Sequence, residues 1–65
     1  MKIDAHKIKM ILAEKGMTWS ALSEHCGLSR QSISTIVGRG TCSVVSAGKL
    51  AKGLGVSVGE IAKEE

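Results

Sequence analysis

The chain contains no phenylalanine, tyrosine or proline, and Trp19 is its only aromatic residue. With one aromatic side chain available, the hydrophobic core must be built almost entirely from aliphatic residues. The two cysteines, Cys26 and Cys42, are too few for a disulfide scaffold. We therefore expect two reduced thiols, with Cys26 packed as a small hydrophobic residue and Cys42 in a loop.

Long apolar runs are also absent. No stretch approaches the roughly 20 apolar residues that a membrane-spanning helix requires. The N-terminus alternates charged and apolar residues, unlike a signal peptide. We therefore expect a cytoplasmic protein with no membrane partner. At 65 residues the chain is near the lower size limit for a self-sufficient core, so residues 1–65 are expected to form a single domain.

The residue combinations that enzymes and metal sites require are missing as well. His6 and His25 are the only histidines, and the neighbours His25 and Cys26 point in different directions on a helix. Zinc-site cysteine spacing is absent, and so is a glycine-rich phosphate loop followed by lysine. We therefore expect no enzyme activity, cofactor or metal, and no small-molecule ligand is evident from the sequence.

The charge of the chain is distributed unevenly around a net value of +3. Eight of the nine lysines and arginines precede residue 60, against three of the six acidic residues. A basic body with an acidic tail favours an anionic partner such as nucleic acid. The alternative is an ordinary solvated lysine surface, which many soluble proteins carry.

Capping residues and glycines divide the chain into five predicted helices. Each begins at Ser, Thr or Asp, and the first four end at a glycine. The predicted boundaries are Asp4 to Lys15 with Gly16 as the stop, Thr18 to Gly27, Ser29 to Gly38, Ser43 to Gly55, and a short helix after Ser57. Ser57 and Glu60 also match a capping box. Because strand signals are weak, the predicted fold class is all-α.

Apolar residues at three- and four-residue spacing mark the inward face of each predicted helix. They are Ile8, Ile11, Leu12, Leu22, Cys26, Ile33, Ile36, Val37, Val44, Ala47, Leu50, Ala51, Leu54 and Ile61. Gly48 and Gly53 lie inside the fourth helix, where each costs about 1 kcal/mol relative to alanine. Gly48 would make room for a bulky neighbour such as Trp19.

Residues 18–37 contain two short helical patterns hinged at Gly27. A sharp turn after a helix favours a left-handed backbone, which glycine adopts most easily. This is the sequence form of a helix-turn-helix, whose second helix enters the DNA major groove. Four hydrogen-bonding side chains lie on the outer face of that second helix: Arg30, Gln31, Ser34 and Thr35. We predict that these four read bases, since arginine pairs with guanine and glutamine with adenine. The alternative is a solvated helix face.

Four segments, in order along the chain, resemble the lambda-repressor/Cro-type helix-turn-helix family of prokaryotic and phage regulators. They are Lys15 to Thr18, Leu22 with Ser23 four residues before Gly27, Leu28 to Ser34, and Leu50 to Ser57. The resemblance covers roughly residues 8–61. It implies a compact five-helix domain that represses or activates transcription at a double-stranded DNA operator.

Contacts to DNA phosphates are expected beside the base-reading face. The residues expected there are Thr18, Trp19, Ser29, Ser32, Arg39 and Thr41. Backbone N–H groups at the helix starts, Thr18 and Ser29, can point at phosphates. The family often has glutamine where Trp19 stands, touching a phosphate. An indole donates only one hydrogen bond, so Trp19 either rests on the DNA backbone or packs half-buried against the core.

The resemblance also implies a homodimer on DNA, because the family pairs two half-sites. No separate domain is expected after Glu65, so the contact is expected from spare apolar residues: Val45, Val56 and Val58.

The family often has arginine where Leu12 stands and glutamate where Val37 stands, forming a buried ion pair. Both positions are apolar here, so we predict that Leu12 and Val37 contact each other and are largely buried.

Two functions are compatible with the sequence. The first is a sequence-specific DNA-binding transcriptional regulator, a repressor of prokaryotic or phage type. The second is a protein-interaction or antitoxin-like module that uses the same fold, since fold does not fix function.

Overall fold

The computed structural model describes residues 1–63, and its helices agree with the predicted ones in number and order. They are α1 Ala5–Lys15, α2 Trp19–Cys26, α3 Arg30–Arg39, α4 Val44–Leu54 and α5 Val58–Ile61. They pack into a body of 29 × 22 × 18 Å. The predicted all-α, five-helix fold is confirmed. No helix within residues 1–63 has the length and apolar character needed to cross a bilayer.

Side-chain caps define where four of the helices begin. Asp4, Thr18, Ser29 and Ser43 each accept a hydrogen bond from the backbone N–H three residues further on. The predicted capping box at Ser57 is wrong, because that side chain makes no capping hydrogen bond. The Glu60 N–H donates to the Ser57 backbone carbonyl at 3.1 Å instead, so the donor that the hydroxyl would cap is already used.

The ends of three helices lie at the predicted glycines, whereas α3 ends later than predicted. Gly38 stays inside the helix, and Gly40 takes the left-handed conformation with φ 72°. The Gly40 N–H donates to the Ile36 carbonyl at 2.7 Å, and its own carbonyl accepts from the Ile3 N–H at 2.8 Å. The predicted end at Gly38 is therefore wrong, because pairing with the N-terminal segment fixes the turn two residues further on.

The core is aliphatic, as the near-absence of aromatic residues predicts. Its buried members are Ile3, Ile8, Leu12, Leu22, Cys26, Ile33, Ile36, Ala47, Leu50, Ala51, Leu54 and Ile61. Val44 is 72% exposed, so its predicted inward position is wrong. Val44 is the first residue of α4, and burial on this helix begins only at Ala47, so the apolar stripe extends one turn beyond the buried core.

Helices α2 and α4 share the most extensive helix–helix contact in residues 1–63, and Gly53 permits it. A Cβ atom at Gly53 would lie 2.6 Å from the Cys26 Cβ and 2.9 Å from the Cys26 backbone nitrogen. At Gly48 a Cβ would meet nothing within 4 Å. The prediction that Gly48 makes room for Trp19 is therefore wrong, and the close helix approach depends on Gly53 instead.

The N-terminal segment, residues 1–4, pairs with two other parts of the chain. Short antiparallel bridges and hydrogen bonds of 2.8–3.0 Å join Lys2 to Thr41 and Lys63, Ile3 to Gly40 and Ala62, and Asp4 to Ile61. Ile3 is only 2% exposed. This pairing, which the sequence pattern does not predict, fastens the loop after α3 to the segment that follows α5.

Candidate nucleic-acid interface

The turn between α2 and α3 is tight and internally hydrogen-bonded. Gly27 takes the left-handed conformation with φ 76°, and its N–H donates to the Ser23 carbonyl at 3.1 Å. The Ser23 hydroxyl donates to the Leu28 carbonyl at 2.6 Å. Ser23 is therefore more than a small residue that lets the helices approach, because its hydroxyl holds the chain that leads into α3.

The structure brings the four predicted base-reading side chains together on the exposed side of α3. Arg30, Gln31, Ser34 and Thr35 are all exposed, while the apolar residues of the same helix face the core. Within residues 1–63, Arg30 and Gln31 have no side-chain hydrogen-bond or ion-pair partner. Their donors are thus available to an external partner.

The Thr35 side chain makes a hydrogen bond within its own helix. Its hydroxyl donates to the Gln31 backbone carbonyl at 2.9 Å. The hydroxyl hydrogen is therefore used, which leaves the methyl group and an oxygen lone pair of Thr35 available to an external partner.

A polar groove of about 550 Å³ lies between α3 and the start of α4. Its lining residues are Gln31, Ser32, Thr35, Ile36, Arg39, Thr41, Cys42, Ser43 and Ser46. Ser32 accepts from the Ser29 hydroxyl at 2.9 Å, and Ser46 accepts from the Ser43 hydroxyl at 3.1 Å. The hydroxyl hydrogens of Ser32 and Ser46 are therefore left to donate outward, towards any anion in this groove.

Ser43 and Ser46 were not among the residues predicted to contact DNA. A signal for them is present in the sequence, because Ser43 and Ser46 repeat the spacing of Ser29 and Ser32. Both pairs form the same arrangement at the start of a helix.

An apolar groove of about 350 Å³ lies on the opposite side of α3, next to the start of α2. It is lined by Trp19, Arg30, Ile33, Ser34, Val37 and Gly38. Trp19 is half-buried and packs against the core, in keeping with one of its two predicted positions. Its contact with the DNA backbone stays a prediction.

The residues predicted to contact phosphates fall into two groups around α3. Ser32, Arg39 and Thr41 line the polar groove, whereas Trp19 lines the apolar groove. Thr18, next to Trp19, uses its hydroxyl oxygen to cap α2 by accepting from the Ala21 N–H at 3.1 Å. Capping uses only the oxygen, so the hydroxyl hydrogen of Thr18 can still donate. Ser29 caps α3 itself.

The three predicted dimer residues do not form one continuous patch. Val45 lies at the first turn of α4 and is 69% exposed, beside Val44. Val56 and Val58 follow the other end of α4 and are half-buried against the core. A helix of 11 residues is about 16 Å long, so Val45 is separated from the other two by that length.

Leu12 and Val37 differ in burial. Leu12 is buried, with 5% of its surface exposed, whereas Val37 is half-buried and forms part of the apolar groove. The prediction of burial is therefore confirmed for Leu12 and only partly met by Val37. Direct contact between them stays a prediction.

Both cysteines are free thiols, as predicted. Burial raises the pKa of the Cys42 thiol, against the opposing effect of the nearby N-terminal ammonium group. Burial thus makes the Cys42 thiol harder to ionise than an exposed cysteine. Among residues 1–63, no cluster of three or more His, Cys, Asp or Glu residues could hold a metal ion.

Comparison with known families agrees with this geometry. A sequence model of the Cro/C1-type HTH DNA-binding domain matches residues 7–64, which is most of the chain. The chain therefore belongs to the family of Cro/C1-type helix-turn-helix domains, and its general function is that of a DNA-binding regulator. No curated protein and no solved structure matches the chain.

Proposed function

We propose that this protein is a sequence-specific transcriptional repressor of prokaryotic or phage type that inserts α3 into the DNA major groove. The observation that carries this proposal is the exposed face of α3. Arg30 and Gln31 project from its first turn without partners in residues 1–63, and Ser34 and Thr35 follow one turn later. An α-helix fits the major groove, where each base pair presents a distinct hydrogen-bonding pattern.

The chemistry of each side chain assigns it a role. The Arg30 guanidinium donates two hydrogen bonds to guanine O6 and N7, and the Gln31 amide pairs with adenine N6 and N7. Ser34 contacts a base edge. Thr35, whose hydroxyl hydrogen is used within the helix, presents its methyl group to a thymine methyl.

Phosphate contacts on both sides of α3 would fix its register in the groove. On the α4 side, the free hydroxyl hydrogens of Ser32 and Ser46 and the charge of Arg39 face one strand, with Thr41 beside them. On the α2 side, Thr18 and the exposed edge of Trp19 face the other strand. Contacts of this kind position the protein and carry no sequence information directly.

We further propose that two copies bind a two-fold symmetric operator in the cytoplasm. One helix covers too few base pairs for useful specificity, and half-sites about 34 Å apart would place two copies on one face of the duplex. Val44 and Val45, exposed at the start of α4, supply an apolar contact between them. Repression then follows from occupancy of an operator that overlaps a promoter.

The test is selection of bound sites from random duplex DNA, followed by mobility shifts of the selected site and of random DNA across a salt series. We expect a palindromic motif and a steep loss of affinity with salt, because phosphate contacts release counterions. Recovery of a single asymmetric site would contradict the dimer. Failure to enrich any motif would contradict sequence-specific binding.

A protein-interaction or antitoxin-like module is the second candidate function. The observation that favours it is the pair of large apolar side chains, Val44 and Val45, exposed on adjacent positions. Such a module would enrich no motif and would bind random DNA weakly at every salt concentration. The same mobility-shift series therefore separates the two functions.

A further inference from the structure

The apolar groove beside α2 has the properties of a small-molecule site. Its volume of about 350 Å³ lies within the range of roughly 300–1,000 Å³ typical of such sites. Trp19, Ile33 and Val37 give it apolar walls. Gly38 leaves space at one end, because a Cβ there would meet nothing within 4 Å.

The polar side chains that line this groove are few: Arg30 and Ser34 on α3, and Trp19 on α2 with its indole N–H. Arg30 is exposed and pairs with no carboxylate in residues 1–63. The Ser34 hydroxyl lies one helical turn further along. An apolar groove with one unpaired guanidinium is complementary to a molecule that has an apolar body and a single anionic group. A carboxylate suits the planar guanidinium especially well, because the two can form paired hydrogen bonds.

We propose that this groove binds a small carboxylic acid with an aromatic or branched apolar body. Arg30 pairs with the carboxylate, and Trp19, Ile33 and Val37 contact the body. The consequence for DNA rests on the proposed function, in which Arg30 also reads a base. One guanidinium cannot satisfy both partners, so the bound acid releases the operator and acts as an inducer.

Direct binding is measured on the full chain without DNA. Benzoate and benzamide have the same ring and differ in charge, so they serve as probe and control. Trp19 is the only tryptophan, and its emission together with amide NMR shifts around the groove reports binding. We expect benzoate to bind roughly ten-fold more tightly than benzamide, as expected for a hydrogen bond to a charged group.

Three variants locate the site. Arg30→Gln should lower the affinity for benzoate to that for benzamide. Arg39→Gln removes the same charge on the opposite side of α3 and should change neither affinity. Gly38→Leu should fill the groove and abolish both signals, with the helical circular dichroism retained, since Gly38 has space and an ordinary helical conformation.

The ligand site is refuted by equal binding of benzoate and benzamide, by NMR shifts outside the groove, or by equal effects of the two arginine variants.

Competition between benzoate and DNA is measured separately, on a duplex that the protein binds. Benzoate should release it from the unaltered protein and should leave the Gly38→Leu complex intact. An acid that binds the free protein without releasing DNA refutes the inducer role alone. A protein that binds no DNA refutes the proposed function, and the titration still decides the ligand site.

Discussion

At position 53, a side chain as small as a methyl group would collide with α2. The colliding atoms are the Cβ, backbone nitrogen and Cα of Cys26, at 2.6–3.0 Å, and the backbone atoms cannot rotate away as a flexible side chain could. In the sequence, Gly48 and Gly53 are alike, since each lies inside a helix and weakens it relative to alanine. Their surroundings differ, because a Cβ at Gly53 would collide with α2 whereas a Cβ at Gly48 would meet nothing within 4 Å.

We therefore expect Gly53→Ala and Gly48→Ala to change stability in opposite directions. Gly53→Ala should lower the free energy of unfolding by about 1–3 kcal/mol, because overpacking outweighs the gain in helix propensity. Gly48→Ala should raise the free energy of unfolding by up to about 1 kcal/mol, since it adds a methyl group in open space. Urea denaturation of both variants measures the difference. If both stabilised the protein, the contact between α2 and α4 would be looser than described.

Arg30 and Gln31 should carry base specificity. Replacing either with alanine should cost about 1–3 kcal/mol on the selected site and much less on random DNA. Arg39→Ala is the matched control, because a phosphate contact should weaken both DNAs similarly and reduce the salt slope by about one. Equal losses on the two DNAs for Arg30→Ala would show that Arg30 touches only the backbone.

At the scale of the helices, boundaries could be predicted wherever the signal was local. Asp4, Thr18, Ser29 and Ser43 cap helices because a side-chain oxygen bonds a backbone group three residues away. The end of α3 could not be predicted, because Gly38 and Gly40 are both glycines. The choice between them depends on Ile3, which is distant in sequence.

The candidate site also has features that local sequence predicts and features that depend on residues distant in sequence. The exposed face of α3 follows from helical periodicity, so Arg30 and Gln31 could be identified from sequence. The two grooves beside it could not, since each needs a second helix placed against α3. Ser46 was therefore not identified as a lining residue of the polar groove, and the exposure of Val44 at the first turn of α4 was not predicted.

Helices α1 and α3 provide a test of charge burial. Leu12→Arg should lower the free energy of unfolding by about 3–5 kcal/mol, because an unpaired charge would replace a buried apolar side chain. Adding Val37→Glu should recover part of that loss, and only part, because Val37 is half-buried and the new carboxylate would stay partly hydrated. A double-mutant cycle with urea denaturation measures the coupling. A coupling free energy of zero would mean that the two side chains lie apart.

At the scale of the whole molecule, assembly on DNA should depend on the start of α4. Val45→Ser should reduce cooperative binding to a palindromic site while leaving affinity for an isolated half-site unchanged. Met10→Ser is the control, because Met10 is also exposed and apolar but lies on α1. Mobility shifts on full and half sites measure both quantities. A loss of half-site affinity in Val45→Ser would assign Val45 to DNA contact instead of dimerisation.

The N-terminal segment pairs with the loop after α3 and with the C-terminal end of α5 and the residues that follow it, and this has a consequence for how the protein opens. Lys2 and Ile3 bridge segments that are otherwise separate, so releasing them frees Thr41 and Ala62 at once. The hydrogen bonds between the N-terminal segment and residues 61–63 close a loop of nearly the whole chain. Forming them therefore costs more chain entropy than forming the local contacts within a helix. Amide hydrogen exchange, corrected for the intrinsic rate of each amide, should therefore give Ile3, Asp4, Cys42 and Lys63 one shared free energy of opening. That value should be lower than for the buried amides of α2 and α4. Unrelated opening free energies at these four amides would show that the two ends of the chain open independently.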